Sequence, residues 1–361
     1  MSLNVNVPIN AVSFGQISTL FLRELYNQNK DINLIPIGNN FDLSCQDDDP
    51  KFFNWLKDRS IGYLKKIKRN DSCFKLWHLN GSFESFSNDQ TLFSFYELDS
   101  PTSEEVNIAN NQKTVVFSSN YTCEVFKQMG CKNVKYIPLA FDKYNFKRLD
   151  RKYFTDGRIV FNLVGKLEKR KHHKKIIQTW LKKFGNNKDY MLQCAVFNPF
   201  LKPEDNQALI SSILMGKNYF NVNFLAMMQK NSIYNDFLNS ADIIIGMSGG
   251  EGWGLPEFHS VAIGKHGVIM NAHAYKDWAN DKNVTLVNPS GKIEAYDNMF
   301  FQRGSPFNQG NIFDFDEDEF IDACEKTIEK VKNNKLNEQG LLLQDQFTSE
   351  NMTNNILGLF S

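Results

Sequence analysis

The sequence predicts an α/β protein made of two successive doubly wound units. Three observations predict it. Short apolar runs alternate with amphipathic segments along almost the whole chain. The alternation pauses once, over the charged and aliphatic-poor stretch Lys143 to Arg158, and then restarts. The length of 361 residues exceeds what one hydrophobic core usually serves.

The elements follow in order. Leu3 to Ile9 alternates as a short strand, "NAVSFGQIS" is a loop containing Gly15, and "TLFLRELYNQ" has helical spacing. "INLIPIG", "CFKLWHLN", "TLFSFYEL" and "TVVFSSN" read as further strands. "YTCEVFKQMG" is a helix with Gly130 as its C-cap, and "VKYIPLAFD" closes the first half. In the second half, "RIVFNLVG", "YMLQCAVF", "YFNVNFLA", "ADIIIGMS" and "GVIMNA" are strands. Between them "HHKKIIQTWLKKFG", "DNQALISSILMG", "NSIYNDFLNS" and "PEFHSVAIG" are helices. The acidic run "FDFDEDEF" reads as a helix N-terminus rather than a calcium loop, because the glycine such a loop needs is missing. Amphipathic helices then run to Ser361.

Composition narrows the function classes. Lys+Arg and Asp+Glu both number 41, so no global field draws the chain to nucleic acid or an anionic membrane. The six cysteines form no CxxC pair, which favours buried, reduced thiols in a cytoplasmic protein over disulfides or a zinc site. The first residues lack the charged and apolar regions of a signal peptide. No apolar run reaches transmembrane length, so no integral membrane contact is expected.

In doubly wound sheets, ligands bind beyond the carboxyl ends of the strands. That selects Ser13 to Gln16, Phe95 to Asp99, Gly165 to Lys171 and Ser248 to His259. In "VGKLEKRKHHKK", Lys166 and Lys171 bracket the expected start of a helix. Two ammonium groups beside helix amides suit a diphosphate. The plainer reading is a solvated basic face, which is what most lysine runs are. In "SGGEGWGLPEFHS", Gly249, Gly250, Gly252 and Gly254 surround Glu251 and Trp253. Bare backbone there permits close approach of a ligand, and Pro256 suits a first helical turn. A carboxylate cannot itself hold phosphate, so Glu251 points to a polyol nearby. The plainer reading is a tight turn with Trp253 in the core.

At these residues the chain resembles retaining GT-B glycosyltransferases of the family 4 type, also called group 1. "GEGWGLPEFHSVAIGKHGVI" is similar to their Glu-Gly-aromatic-Gly-Leu-Pro signature, and "VGKLEKRKHHKKII" to their Gly-Arg/Lys-Leu segment. "FSFYELDSP" and "VVFSSNYTCEVFKQMGCKNVKYIPLAFD" resemble their N-terminal domain. The resemblance implies two Rossmann-like domains facing across a cleft. They are read as 1–148, shaping the acceptor site, and 149–335, holding a nucleotide-sugar donor, with 336–361 packing back on the first domain. It implies that Lys166 and Lys171 hold the donor diphosphate and that Glu251 contacts sugar hydroxyls. Gly165, Gly252, Trp253, Gly254 and Leu255 would line the donor, with Gly15 near its phosphates. Glu97 and Asp99 would lie near the reacting sugar or the acceptor. The implied enzyme needs no metal and no resident cofactor, since the nucleotide diphosphate sugar is a co-substrate. One departure stands out: the family's second glutamate falls at His259, which could still bond a ribose hydroxyl. Glu257 lies two residues earlier.

The expected acceptor is a glycan or glycan precursor. A modified DNA base is the alternative, since the Asn- and Lys-rich composition is similar to that of low-GC bacteria and their phages. Lys65, Lys66, Lys68 and Arg69 would be its basic patch. A catalytically degenerate nucleotide-sugar binder is the non-enzyme alternative, motivated by His259. "QDDDP" carries the Asp47/Asp49 spacing of a metal-using glycosyltransferase fold, but acidic turns are common. His259, His266 and His273 are spaced by seven, and Gly264 and Gly267 break any helix that would align them for a metal. Nothing in the residues selects the sugar, the base or an oligomeric state.

Overall fold

The computed structural model describes residues 3–38, 41–60, 67–83 and 85–360. It contains two parallel six-stranded sheets, as the alternation predicts. The first holds β1 (Leu3–Pro8), β2 (Ile32–Ile37), β3 (Cys73–Leu76), β4 (Gln90–Ser94), β5 (Thr114–Phe117) and β6 (Val134–Tyr136), in the order β2-β1-β3-β4-β5-β6. The second holds β7 (Ile159–Gly165), β8 (Tyr190–Val196), β9 (Val222–Phe224), β10 (Ile243–Gly246), β11 (His266–Met270) and β12 (Thr285–Val287), in the order β12-β11-β10-β7-β8-β9. The second order is that of a dinucleotide-binding domain, and its direction reverses between β7 and β10. In the first sheet the reversal falls between β1 and β3.

Central strands are buried on both faces, as parallel sheets require. β1 therefore buries Asn4 and Asn6 along with Val5 and Val7. The asparagines are tolerated because they bond sideways. Asn33 Nδ2 donates to Asn4 Oδ1 at 3.0 Å, and Asn6 Nδ2 donates to the Ile35 carbonyl at 2.9 Å. β7 repeats the device, with Asn162 Nδ2 on the Phe237 carbonyl at 3.0 Å.

Helices cover the sheets: α1 (Ser13–Asn27), α2 (Pro50–Ser60), α3 (Ser103–Asn110) and α4 (Asn120–Gln128) in the first half. The second half has α5 (His173–Phe184), α6 (Pro203–Ile213), α7 (Asn231–Ser240), α8 (Leu255–Ala262) and α9 (Glu317–Asn333). Short helices α10 (Glu338–Leu341) and α11 (Leu343–Gln346) lead to α12 (Ser349–Leu357). α12 lies against α1, where Ser349 Oγ donates to Glu24 Oε1 at 2.7 Å. No strand or helix occupies 137–158. That stretch is pinned by α7, through Asn235 Oδ1 to Lys147 N at 3.2 Å and Asn239 Oδ1 to Leu149 N at 2.7 Å.

Several local expectations are corrected. α1 begins at Ser13, so Gly15 lies in its first turn and not in a loop. α2 and α3 were not expected. Asp49 precedes α2, accepts from Phe52 N at 3.1 Å and pairs with Arg23 at 3.0 Å. It is a helix-starting residue, with Asp47 exposed beside it. α3 opens on a capping box of Thr102 and Glu105. The run "FDFDEDEF" is divided. Its Phe-Asp-Phe ends β14 (Asn311–Phe315), which pairs antiparallel with β13 (Pro289–Glu294). Asp316 then caps α9, with three acids in the first turn. This hairpin leans on the first domain, where Lys292 pairs with Asp99 at 2.9 Å and Tyr121 meets Phe313 edge-on. All six cysteines are buried and free. Among the described residues no helix is long and apolar enough to cross a membrane.

Candidate functional site

Between the two sheets, four of the expected residues converge: Glu97, Lys166, Lys171 and Glu251. Beyond β7, Gly165 takes φ 125° and the chain leads through Lys166 into a 3₁₀ turn, Lys169–Lys171. The turn directs Arg170 and Lys171 inward, so both are buried despite their place in a basic run. Beyond β10 comes the glycine loop with Glu251. Lys171 Nζ forms an ion pair with Glu251 Oε1. Arg170 shares that oxygen at 3.1 Å, reaches Glu168 at 2.7 Å, and crosses to Glu97 of the first domain at 3.6 Å. Lys166 stands apart, 3.2 Å from Glu168, with its ammonium 3.6 Å from the Phe300 ring centroid.

The glycine loop has a second reason for its bare backbone. A Cβ on Gly252 would lie 2.8 Å from Phe95 Cβ, and one on Gly250 would strike the Glu97 carbonyl. Gly252 O accepts from Ser118 Oγ at 2.6 Å. The first domain thus closes directly on the loop, and these two glycines serve that contact. Gly254, at φ 83°, turns the chain into α8, whose N-terminus carries no side-chain cap. Leu255 is the first residue of that helix and Pro256 the second.

The buried charges bias one another. Burial opposes ionisation of Glu251, but Lys171 and Arg170 override it and hold the carboxyl well below the usual range. Glu257 faces the same cluster from the first turn of α8. Burial pushes it up to about 7; Lys171 pulls down and Glu251 pushes up. The Tyr275 hydroxyl is its buried polar neighbour. A folded pKa above the unfolded 4.5 means that the folded state keeps a proton the unfolded chain has lost. The contribution of Glu257 to stability should therefore fall as pH rises from 4.5 to about 7, then level off. Glu257→Gln should remove that fall and be more stable than the parent at pH 8 by about 1–3 kcal/mol. Urea unfolding at pH 5 and pH 8 tests this, and parallel pH profiles would contradict it.

Three residues named for donor, sugar or acceptor contact have side chains already engaged within the protein. His259 does not present a free ring nitrogen. It stacks on Phe146 at 4.2 Å, its Nε2 accepts from Asp142 N at 3.4 Å, and burial holds its pKa down at about 3. Its ring packs on the connection between the two sheets. The Trp253 side chain is core, edge-on to Phe258 and Phe347, and its carbonyl accepts from Trp278 Nε1 at 3.0 Å. Asp99 is held by Lys292 and by Asn311 N at 2.7 Å, so it anchors the hairpin. Glu97, by contrast, joins the Arg170 cluster. Gly15 packs on Asn10, which leaves no room for a Cβ. His266 bonds the Asn334 carbonyl and His273 the Ser248 carbonyl, both at 2.8 Å. Among the described residues no group of His, Cys, Asp or Glu is arranged to hold a metal ion.

Three participants were not legible in the sequence: Arg170, Glu168 and Tyr275. The first two sit inside a run that reads as a solvated face. Their inward turn is invisible without the 3₁₀ geometry.

No family model matches the sequence, and no curated protein matches it. Solved structures do share its fold. A sucrose-phosphate synthase from Thermosynechococcus elongatus superposes with TM-score 0.69 at 11% identity, over 100% of this chain and 98% of that one. HepE from Anabaena, in complex with UDP-glucose, gives 0.67 at 14% identity, over 100% and 99%. The catalytic domain of starch synthase IV from Arabidopsis thaliana, bound to ADP and acarbose, gives 0.66 at 10% identity, over 99% and 98%. The class defined by this architecture is GT-B: two Rossmann-like domains, each with its reversal point on a shared cleft.

Proposed function

We propose that the protein is a retaining glycosyltransferase that moves a sugar from a nucleotide diphosphate sugar to an acceptor hydroxyl. The observation that carries this reading is the Lys171–Glu251 pair at the reversal point of the second sheet, backed by Arg170. Lys166 and Lys171 hold the diphosphate and stabilise it as it leaves, with α8 aiming its uncapped N-terminus the same way. Glu251, kept ionised by its two cations, accepts hydrogen bonds from sugar hydroxyls. Gly252, Gly254 and Leu255 bring backbone to the donor. Departing phosphate takes the acceptor proton on the same face, so no carboxylate nucleophile and no metal is required. HepE is solved with UDP-glucose and starch synthase IV with ADP, which supports a nucleoside diphosphate here.

The domains are assigned as 1–148 for the acceptor and 149–335 for the donor, with 336–361 bracing the first, in a cytoplasmic enzyme. A glycan or glycan precursor is the preferred acceptor over a DNA base. Lys65 and Lys66 lie outside the described residues, and Lys68 and Arg69 are exposed side chains, with Arg69 spent on Asn88 at 3.1 Å. His259, the motive for a degenerate binder, is accounted for by its packing on Phe146.

Calorimetry with UDP, GDP, ADP and TDP, each with magnesium and with EDTA, tests the reading. One nucleotide should bind equally well under both conditions, and its sugar donor should then be turned over. Binding that needs the metal would return attention to Asp47 and Asp49. Binding of none would defeat the enzyme reading.

A further inference from the structure

The β13–β14 hairpin follows β12 of the second sheet, yet it and its connecting stretch, 295–310, are seated on the first domain. Ala295, Phe301 and Ile312 are buried in one apolar cluster with Leu79 and Leu98, and Phe300 packs against that cluster. Polar contacts pin the same segment. Lys292 and the Asn311 amide hold Asp99, Asn308 N donates to Glu105 Oε1 at 2.9 Å, and Thr102 Oγ donates to the Pro306 carbonyl at 2.6 Å.

From that seat the segment reaches back to the second domain. Lys169 Nζ donates to the Tyr296 carbonyl at 3.0 Å, and Asn198 Nδ2, just beyond β8, donates to Met299 Sδ at 3.5 Å. Beside these contacts Phe300 lays its ring on Lys166, whose ammonium lies 3.6 Å from the ring centroid. Phe200 meets Phe300 edge-on at 5.4 Å, and its own ring centroid is also 5.4 Å from the ammonium. The third partner of Lys166 is Glu168 at 3.2 Å, whose other oxygen takes Arg170 at 2.7 Å. One carboxylate shared by two cations cannot cancel both charges. The two kinds of partner differ in what they leave. A carboxylate offsets the charge of an ammonium, whereas a ring face attracts it through the quadrupole and leaves its net charge intact. A lysine stem is flexible, so fixing it without spending its charge requires a partner of the second kind.

We propose that Phe300 is a positioning residue: its ring, carried by a hairpin seated on the first domain, holds the Lys166 ammonium in place with charge left for a diphosphate. This rests on the reading of Lys166 as a ligand of the donor diphosphate. It makes the placement of that lysine depend on contact between the two domains.

The test is a double-mutant cycle on the full chain with Phe300→Leu, Lys166→Met and the two combined, beside Phe300→Tyr as the conservative variant. The probe is UDP (or the nucleoside diphosphate that the calorimetric panel selects), and the readout is its affinity. Phe300→Leu keeps apolar bulk and removes the ring face. It should weaken UDP binding about three- to fivefold, while Phe300→Tyr stays within about twofold of the parent. In the Lys166→Met background Phe300→Leu should have no further effect, because the ring acts only through the ammonium. A general loosening of the hairpin would instead act alike in both backgrounds. The proposal is overturned by a Phe300→Leu variant equal to the parent, by an equal loss in Phe300→Tyr, or by a loss that persists in the Lys166→Met background. A Lys166→Met variant that binds UDP as the parent does removes that lysine from the donor site, and the role of Phe300 with it. A parent protein that binds none of UDP, GDP, ADP and TDP defeats the glycosyltransferase reading itself, and that failure is visible before any variant is made.

Discussion

Lys171→Ala should lower donor turnover by about 10²–10³-fold while leaving a folded protein. The side chain is buried and its ammonium is paired with Glu251. In the proposed reaction it meets negative charge that grows as the nucleoside diphosphate departs, so its loss acts mainly on the transition state. The fold should survive because Arg170 still neutralises Glu251 at 3.1 Å. Donor hydrolysis at saturating donor, beside thermal unfolding of the same sample, separates the two effects. Unchanged turnover would remove Lys171 from the chemistry. Lost turnover with lost folding would make it structural.

Arg170→Ala should be the most destabilising change in the site, by about 3–5 kcal/mol at neutral pH. Its guanidinium reaches Glu97, Glu168 and Glu251 and donates to the Gly250 carbonyl. Without it, those carboxylates share only Lys166 and Lys171. Glu97 and Glu251, whose pKa values Arg170 pulls down, would then resist ionisation more strongly, so the deficit should shrink at pH 5, where protons replace the lost cation. Arg170→Lys should rescue little, because one ammonium cannot reproduce a fork that touches both domains. Urea unfolding at pH 7.5 and pH 5 measures this. A variant within about 0.5 kcal/mol of the parent would show that the network carries no such weight.

Much of the site was legible because its residues follow strands. Lys171 and Glu251 are 80 positions apart, yet both lie just beyond central parallel strands, and the fold brings such positions together. Side-chain direction, which decides a role, is not written in the strand pattern. His259 and Glu257 both lie in α8, but only Glu257 turns toward the cations. Arg170 looked like one more solvated charge. Asp99 looked like a ligand for sugar, because the β13–β14 hairpin that claims it is weakly patterned and distant in sequence.

The alternation of apolar runs and amphipathic segments by itself determined the two α/β units, the place of their connection and the strand ends where ligands gather. Such periodicity is a local property, set by which faces must be buried. Tertiary structure alone decided the rest. It chose which carboxylate pairs with which cation and turned His259 into a packing residue. Those outcomes depend on the approach of two domains, and no local pattern records the distance between them.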